Sequence, residues 1–283
     1  MAQVMTDTWE LRRVRTSVLR GRYPFTAEML DLYAALLPVQ EAAFLDAITA
    51  PPWPQRISAY VADQVVPGVI EVTMASGPER LRAAVAERLA AAGAGAMIEG
   101  WMRGDGQHAA DRYIARAALS PVLEAIGDLA SPAFDGPRDH SHCPFCGGPP
   151  QLSYFAVAAE DLASGGRRLV CARCHGDWGY PRMTCTSCGE QSGSRLPVYS
   201  EVGTAAGERG GVVRGLGIPA ETDALFPHTR IEACETCGRY LLNIDLAGDA
   251  QAVPLVDELS ALPLDLYARD LGFTKITPNL MGF

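Results

Sequence analysis

Apolar residues in the first half of the chain recur at the spacing of helix faces. Thr26 has the position of an N-cap before a helix that Pro38 should kink or break, and Ser76–Pro78 predicts a second helix that Gly93 loosens or ends. Ser120 and Pro121 predict the restart of a third helix. The apolar positions that define these helices are Met29, Leu30, Tyr33, Leu36, Leu37, Leu81, Val85, Leu89, Tyr113, Ile114 and Ala117. We therefore expect an all-helical first half, with these positions, Trp53 and Trp101 in its core.

The pattern changes at Ser131–His142, a segment with two prolines and a glycine. We place a domain boundary there, giving a helical domain at 1–135 and a second domain at 136–283. Beyond the boundary the chain favours short strands and, after them, one amphipathic helix at Val256–Leu271 in which Pro263 imposes a kink or restart. The predicted strands are Leu152–Ala158, Arg168–Cys171, Leu196–Val202 and Arg239–Ile244, and the glycine-rich segment Gly203–Gly217 is predicted to be a mobile loop.

All eight cysteines of the chain lie in the second domain, in four Cys-x-x-Cys pairs. Two cysteines at this spacing can turn both sulfurs toward one ion, so four pairs suffice for two tetrahedral four-thiolate sites. A glycine follows the second cysteine of three pairs, where a positive φ allows the chain to turn tightly. The predicted metal ligands are Cys143, Cys146, Cys171, Cys174, Cys185, Cys188, Cys234 and Cys237.

Other uses of the cysteines fit the sequence less well. Disulfide scaffolds are small, secreted and rich in cysteine throughout, whereas half of this 283-residue chain has none. Cys171-x-x-Cys174-His175 also matches covalent haem attachment, but haem would leave the other three pairs unexplained. We expect His175 to be a solvent-facing turn residue, with a substitute metal ligand as the alternative. The pairs can combine sequentially, first with second and third with fourth, or in an interleaved order, and spacing does not distinguish these arrangements.

The net charge of the chain and the length of its apolar runs argue against some classes of function. The net charge of −9 argues against a nucleic-acid partner, since a basic surface supplies most of the affinity for phosphates. We find no apolar run long enough to cross a bilayer and no export signal, so we expect no stable membrane insertion. Thiolates that must stay reduced indicate a cytoplasmic location.

The motifs resemble those of formate dehydrogenase accessory proteins of the FdhE type. The central one is the run from Cys171 to Cys188 that contains Trp178 and Arg182 between its cysteine pairs. Further similar segments follow the same order along the chain: Cys143–Pro150, Glu232–Leu241, Asp257–Asp265, Gly272-Phe273 and Pro278–Leu280. The resemblance covers the chain from about Cys143 onward. His175 and the long segment between Cys188 and Cys234 depart from the family pattern.

The resemblance implies a cytoplasmic maturation protein that is not itself an enzyme. Such a chaperone would contact the catalytic subunit of a molybdenum- or tungsten-dependent formate dehydrogenase. It also implies an α+β fold, with a helical domain followed by a rubredoxin-like or zinc-ribbon domain and a C-terminal helix. The eight cysteines would hold two metal ions, iron or zinc, in four-cysteine sites. Arg182 or Arg173 could offset the negative charge of the thiolates, and Trp178 could cover the hairpin between the two sites. For Trp178 and Arg182, ordinary packing and solvation is an equally good explanation.

A different class of function is also consistent with the cysteines. Two rubredoxin-like iron sites could carry electrons, and an unmetallated Cys-x-x-Cys pair could exchange disulfides. The colour of the purified protein separates these hypotheses, because oxidised iron thiolate is red and zinc thiolate is colourless.

Overall fold

The computed structural model describes residues 2–156, 165–201 and 224–283, with side chains from residue 8 onward. The chain divides into two compact units. The first comprises Met1–Pro149, Cys171–Gly176 and Leu280–Gly282, and the second comprises Pro150–Val170, Asp177–Asn279 and Phe283. The predicted α+β organisation, with helices first and a sheet with two cysteine clusters after them, is confirmed. The division between residues 135 and 136 stays a prediction.

The first unit is built around one helix that is buried along nearly its whole length. Ala115, Ala118 and Val122 of this helix are fully buried, and their small side chains let its neighbours approach closely. The helices are α1 (Ala2–Arg22), α2 (Ala27–Thr49), α3 (Ile57–Tyr60), α4 (Val66–Ser76), α5 (Glu79–Arg103) and α6 (Ala109–Ile126), with a π-helical turn at Val61–Val65 and 3₁₀ turns at Pro24–Thr26, Pro54–Arg56 and Gly127–Ala133. The central helix is α6, which packs against α2, α4 and α5.

The helix signals in the sequence have mixed outcomes. Thr26 is the N-cap residue of α2, but its hydroxyl donates to the Tyr23 carbonyl instead of accepting from the helix. The helix continues through Pro38 to Thr49, so the predicted break is absent. Gly93, in contrast, interrupts α5 with φ 71° and ψ 157°. The core position predicted for Trp53 is wrong, because that side chain is 77% exposed.

One segment of the helical unit passes a simple test for membrane spans. Pro24–Thr49 is long and apolar enough by length and composition, which corrects the expectation that no such run exists. Its residues Leu30, Leu36 and Leu37 are fully buried against other helices. A core helix of a soluble protein passes the same test, so this one segment is weak evidence for a span.

The second unit contains a mixed sheet. Its strands are β1 (Pro150–Phe155), β2 (Arg167–Cys171), β3 (Asp177–Gly179), β4 (Val198–Tyr199), β5 (Thr229–Cys234), β6 (Arg239–Asp245) and β7 (Thr274–Lys275). The strand order is β3-β2-β1-β6-β5-β4, with β7 added beside β6. The pairs β1–β6 and β6–β7 are parallel, whereas β2–β3, β4–β5 and β5–β6 are antiparallel.

The four predicted strands correspond to β1, β2, β4 and β6, whereas β3, β5 and β7 were not predicted. The predicted ends at Ala158 and Val202 and the loop at Gly203–Gly217 lie outside the described residues. The predicted C-terminal helix is two helices, α7 (Pro254–Ser260) and α8 (Leu262–Asp270), so the chain restarts just before Pro263.

Buried ionic groups attach these C-terminal elements to the sheet. The Lys275 ammonium lies 2.8 Å from a Glu258 carboxylate oxygen and 2.9 Å from one of Asp265. Tyr240 on β6 donates to Asp265 over 2.8 Å. Because these side chains are buried, each charge depends on the others to offset its loss of hydration.

Candidate metal centres

The structure brings the four cysteine pairs together in sequential order. The first cluster consists of Cys143, Cys146, Cys171 and Cys174, and the second cluster consists of Cys185, Cys188, Cys234 and Cys237. Each cluster therefore combines one turn in a loop with one turn between antiparallel strands, β2 and β3 in the first cluster and β5 and β6 in the second. The first cluster lies entirely in the helical unit and the second entirely in the sheet unit.

The spacing of the sulfurs fits a tetrahedral metal shell. In the first cluster, Cys143 Sγ lies 3.6 Å from Cys174 Sγ, and Cys146 Sγ lies 3.5 Å from Cys171 Sγ. In the second cluster both corresponding distances are 3.7 Å. Four sulfurs bonded at about 2.3 Å to one zinc ion lie about 3.8 Å apart. All eight cysteines are free thiols, so the clusters could hold one metal ion each.

All four pairs use the same backbone turn. The N–H group of the residue after the second cysteine donates to the carbonyl of the first cysteine, over 2.9 to 3.2 Å. That residue always has a positive φ, between 57° and 76°. The positive φ predicted for the three glycines is thus confirmed. The residues at this position are Gly147, His175, Gly189 and Gly238.

Backbone N–H groups also point at the sulfurs. Arg173 donates its N–H to Cys171 Sγ over 3.3 Å, and Ser187 donates its N–H to Cys185 Sγ over 3.4 Å. Burial raises the pKa of Cys185 to about 12, although the backbone N–H groups of Cys188 and Ser187 oppose this increase. Donors aimed at sulfur stabilise the thiolate form that binds metal.

His175 differs from the solvent-facing residue that we expected. It adopts φ 57° at a position where the other three turns have glycine, and its side chain is mostly buried. Its Nδ1 lies 3.0 Å from a carboxylate oxygen of Glu124 on α6. The left-handed conformation costs a residue with a Cβ roughly 1–2 kcal/mol. The contact with Glu124 offsets this cost and fixes the turn to the helical unit.

Glu124 is held in the ionised form by two neighbours. Its other oxygen accepts a 2.6 Å bond from the Arg12 guanidinium, which itself stacks on Trp9. Burial alone would raise the pKa of Glu124, but Arg12 and His175 lower it to about 2. Burial lowers the pKa of His175 in spite of the Glu124 carboxylate. Arg12 and Glu124 therefore form a buried ion pair next to the second cysteine turn of the first cluster.

Arg173 places a buried cation beside the first cluster. Its guanidinium donates to the Cys146 carbonyl over 2.8 Å and to the Trp101 carbonyl over 3.1 Å. It lies 5.1 Å from the ring centre of Phe134. The positive charge expected near the thiolates is thus present, although the guanidinium binds carbonyl oxygens and only the backbone N–H of Arg173 meets a sulfur.

Trp178 and Arg182, which lie between the cysteine pairs of the central motif, belong to the sheet unit. Trp178 is buried on β3 opposite Leu169, which agrees with a packing role. The Arg182 guanidinium lies 4.4 Å from the ring centre of Phe155 and donates to the Gly165 carbonyl. These contacts place Arg182 against the end of β1 and against Gly165, just before β2, and not at a cysteine sulfur.

Side chains at the surface link the two cysteine turns of the second cluster. Glu190, just after the third cysteine pair, accepts a 2.6 Å bond from the Thr236 hydroxyl inside the fourth pair. The same carboxylate accepts the N–H groups of Gln191 and Ser192. On the buried side, the Tyr180 hydroxyl donates to the Cys185 carbonyl over 3.1 Å.

The structure also brings together groups that no sequence pattern connects. Along the chain, Glu124 lies 51 positions from His175 and 112 positions from Arg12. Of these three residues, only His175 adjoins a Cys-x-x-Cys pair. His228 Nε2 lies 2.9 Å from Asp257, with Asp249 close to both, in a group whose ligand atoms all fall within 4.8 Å of one another. Only a prediction of long-range contacts could have found these sets.

The chain is similar to FdhE proteins in several comparisons. A family model described as the FdhE C-terminal domain matches residues 218–281. An FdhE homologue of Aquifex aeolicus is 31% identical over 173 residues, which are 61% of this chain and 52% of that protein. An FdhE homologue of Pseudomonas aeruginosa is 32% identical over 139 residues, which are 49% of this chain and 38% of that protein. The chain thus matches about half, or less, of the length of these relatives.

The fold agrees with the same resemblance. The crystal structure of the FdhE protein from Pseudomonas aeruginosa superimposes with a TM-score of 0.62 at 25% sequence identity. The superposition covers 97% of this chain and 95% of that one. The resemblance predicted from the cysteine motifs is therefore confirmed in sequence and in fold.

Proposed function

Because this chain resembles FdhE proteins in sequence and in fold, we propose that it is an accessory protein for the maturation of a molybdenum- or tungsten-dependent formate dehydrogenase. It acts in the cytoplasm as a chaperone that contacts the catalytic subunit, and it does not itself oxidise formate. The observation that carries this proposal is the FdhE C-terminal match together with two four-cysteine clusters in the order of the family motifs.

We further propose that the eight cysteines bind two metal ions, iron or zinc, one in each cluster. Sulfur separations of 3.5 to 3.7 Å support a tetrahedral shell in both clusters. A bound ion would cross-link two turns of the backbone, and such sites contribute on the order of 10 kcal/mol to folding. Elemental analysis of the purified full chain should find two equivalents, and visible absorption separates red ferric thiolate from colourless zinc.

A deletion strain tests the maturation role. Formate dehydrogenase activity should be lost in cells that lack this gene and should return when the full chain is supplied. The catalytic subunit is quantified in parallel, because lost activity with the subunit still present identifies a maturation defect. Supply of Asp31→Asn, which removes only an exposed pair with Arg20, should also restore activity.

Contact with the catalytic subunit is tested separately. The tagged full chain should retain that subunit from cells that express both proteins, and the subunit should not be retained by the tag alone.

The deletion strain can also overturn the maturation role. It does so if formate dehydrogenase activity stays normal in a deletion strain that has no second copy of the gene.

A redox role is the second candidate, and the exposure of Cys188 favours it. A thiolate at the surface can meet a partner's redox centre or disulfide, which a fully buried one cannot. If both clusters contain iron, a reversible one-electron change should be measurable by potentiometric titration of the visible absorption. A protein that contains only zinc would remove the electron-transfer form of this candidate.

A further inference from the structure

The two clusters present the same ligands in the same turns but differ in access to solvent. In the first cluster three cysteines have no exposed surface and Cys174 is 4% exposed. In the second, Cys188 is exposed and Cys237 is partly exposed. A chelator or a second thiol can therefore reach sulfur in the second cluster without any prior opening of the fold, whereas the first requires such an opening.

The space around the sulfurs differs in the same direction. A Cβ atom added at Gly148 would lie 2.7 Å from Cys171 Sγ, and one added at Gly176 would lie 3.3 Å from Cys174 Sγ. Backbone thus packs directly against the sulfurs of the first cluster. The equivalent positions of the second cluster, two residues after the second cysteine of each pair, are Glu190 and Arg239, so a Cβ atom is accommodated at both.

The charged neighbours differ too. Arg173 is buried beside the first cluster, and it binds the Cys146 carbonyl of the ligand turn. Four thiolates around a divalent ion carry a net charge of about −2, which a buried guanidinium stabilises. At the second cluster the Glu190 carboxylate links the two ligand turns through Thr236 at an exposed position. Arg195 offsets part of this negative charge, but it is exposed, so solvent screens it and it stabilises the thiolate shell less than a buried guanidinium does.

From these three differences we propose that the second cluster is an exchangeable metal site, which gains and loses its ion against metal in solution, while the first cluster retains its ion. Cys188 is the ligand that an incoming donor replaces first, because it is the sulfur that faces solvent. If zinc were bound by these four cysteines, the exposed Cys188 sulfur would let an incoming donor approach without unfolding of the chain. This inference rests on the metal-binding part of the proposed function and not on the role in formate dehydrogenase maturation.

The test uses the full chain loaded with two equivalents of zinc and challenged with the colorimetric chelator 4-(2-pyridylazo)resorcinol. We expect one equivalent to be released roughly tenfold or more faster than the other. Alkylation with N-ethylmaleimide during the fast phase, followed by peptide mass spectrometry, should label the cysteines of the second cluster. Cysteines of the first cluster should be labelled only in the slow phase.

Two matched variants sharpen the assignment. Cys188→Ser should remove the fast phase and leave one slowly released equivalent, whereas Cys171→Ser should keep the fast phase. If Cys171→Ser does not fold, the alkylation pattern of the wild-type chain still decides the question. Release of both equivalents at one rate, or labelling of the first cluster in the fast phase, would overturn the exchange proposal alone. Failure to bind two equivalents would overturn the metal-binding proposal as well.

Discussion

The first and second clusters have the same four-cysteine composition and the same four-residue turns with a positive φ after the second cysteine. The first is enclosed by the helical unit, with Arg173, His175 and Glu124 arranged around it. The second belongs to the sheet unit and leaves Cys188 at the surface. A Cys-x-x-Cys pattern therefore specifies the turns that carry the sulfurs, while the packing around the turns determines how accessible the sulfurs are.

The largest expected difference follows from removing one ligand of each cluster. Cys171→Ser should destabilise the helical unit by several kcal/mol, because metal binding to such a site contributes on the order of 10 kcal/mol. Cys188→Ser should leave the helical unit unchanged. Hydrogen exchange of the α6 amides, measured by mass spectrometry, reports on the helical unit directly. Equal protection of α6 in both variants would contradict the assignment of the first cluster to that unit.

The next effect concerns the ion pair beneath the first cluster. Glu124→Gln leaves the buried Arg12 guanidinium without its carboxylate, so we expect a loss of about 3–5 kcal/mol in the free energy of unfolding. Asp31→Asn is the matched control, since its exposed pair with Arg20 should contribute below about 1 kcal/mol. Urea unfolding of both variants measures the two losses. A loss at Glu124 no greater than at Asp31 would show that the pair does not support the first cluster.

The same ion pair should make stability depend on pH in a defined direction. Arg12 and His175 lower the pKa of Glu124 from the ordinary 4.5 to about 2, with Tyr33 and Arg116 as the other titratable or charged groups nearby. A lowered pKa in the folded state means that the stabilisation is present above pH 4.5 and is lost as the pH falls toward 2. The difference in unfolding free energy between wild type and Glu124→Gln should shrink over this range, because glutamine resembles the protonated acid.

Two glycines at equivalent turn positions test the difference in packing. Gly147 and Gly238 have φ of 65° and 67°, so replacement by alanine strains both by roughly 1–2 kcal/mol. At Gly147 the added Cβ would also lie 2.9 Å from the Pro137 carbonyl oxygen and would collide with Arg138, whereas at Gly238 it would meet no atom within 4 Å. Gly147→Ala should therefore cost more than Gly238→Ala in thermal unfolding. Equal costs would mean that the first cluster is no more tightly packed than the second.

Local sequence was enough to predict the four cysteine turns, but not which pairs combine or which residues surround them. The spacing of the cysteines and the glycines after them encodes the turns, because both depend on a few neighbouring residues. Strand β5 was missed even though it carries Cys234, since it follows a long glycine-rich segment that gave no sign of where pairing resumes. The roles of Glu124 and His175 could not be predicted, because their contact joins residues 51 positions apart. The exposure of Cys188 could not be predicted either, because it depends on elements that are distant in sequence.

The smallest predicted effect is the most specific test of how the first cluster differs from the second. His175→Gly gives the second turn the residue that the other three turns have, which relieves roughly 1–2 kcal/mol of backbone strain. It also removes the bond to Glu124, which as a bond to a charged group contributes about 1.5–3 kcal/mol. The two effects nearly cancel, so His175→Gly should lower the free energy of unfolding by about 1 kcal/mol.

The sign of this effect should reverse when the carboxylate is absent. In a Glu124→Gln background the charged bond is already lost, and His175→Gly should then stabilise the protein through the relief of strain alone. A double-mutant cycle in urea, with zinc saturating both clusters, measures the two values. If His175→Gly has the same effect in both backgrounds, the Glu124 contact does not hold this turn. The first cluster would then differ from the second in burial but not in how its backbone is supported.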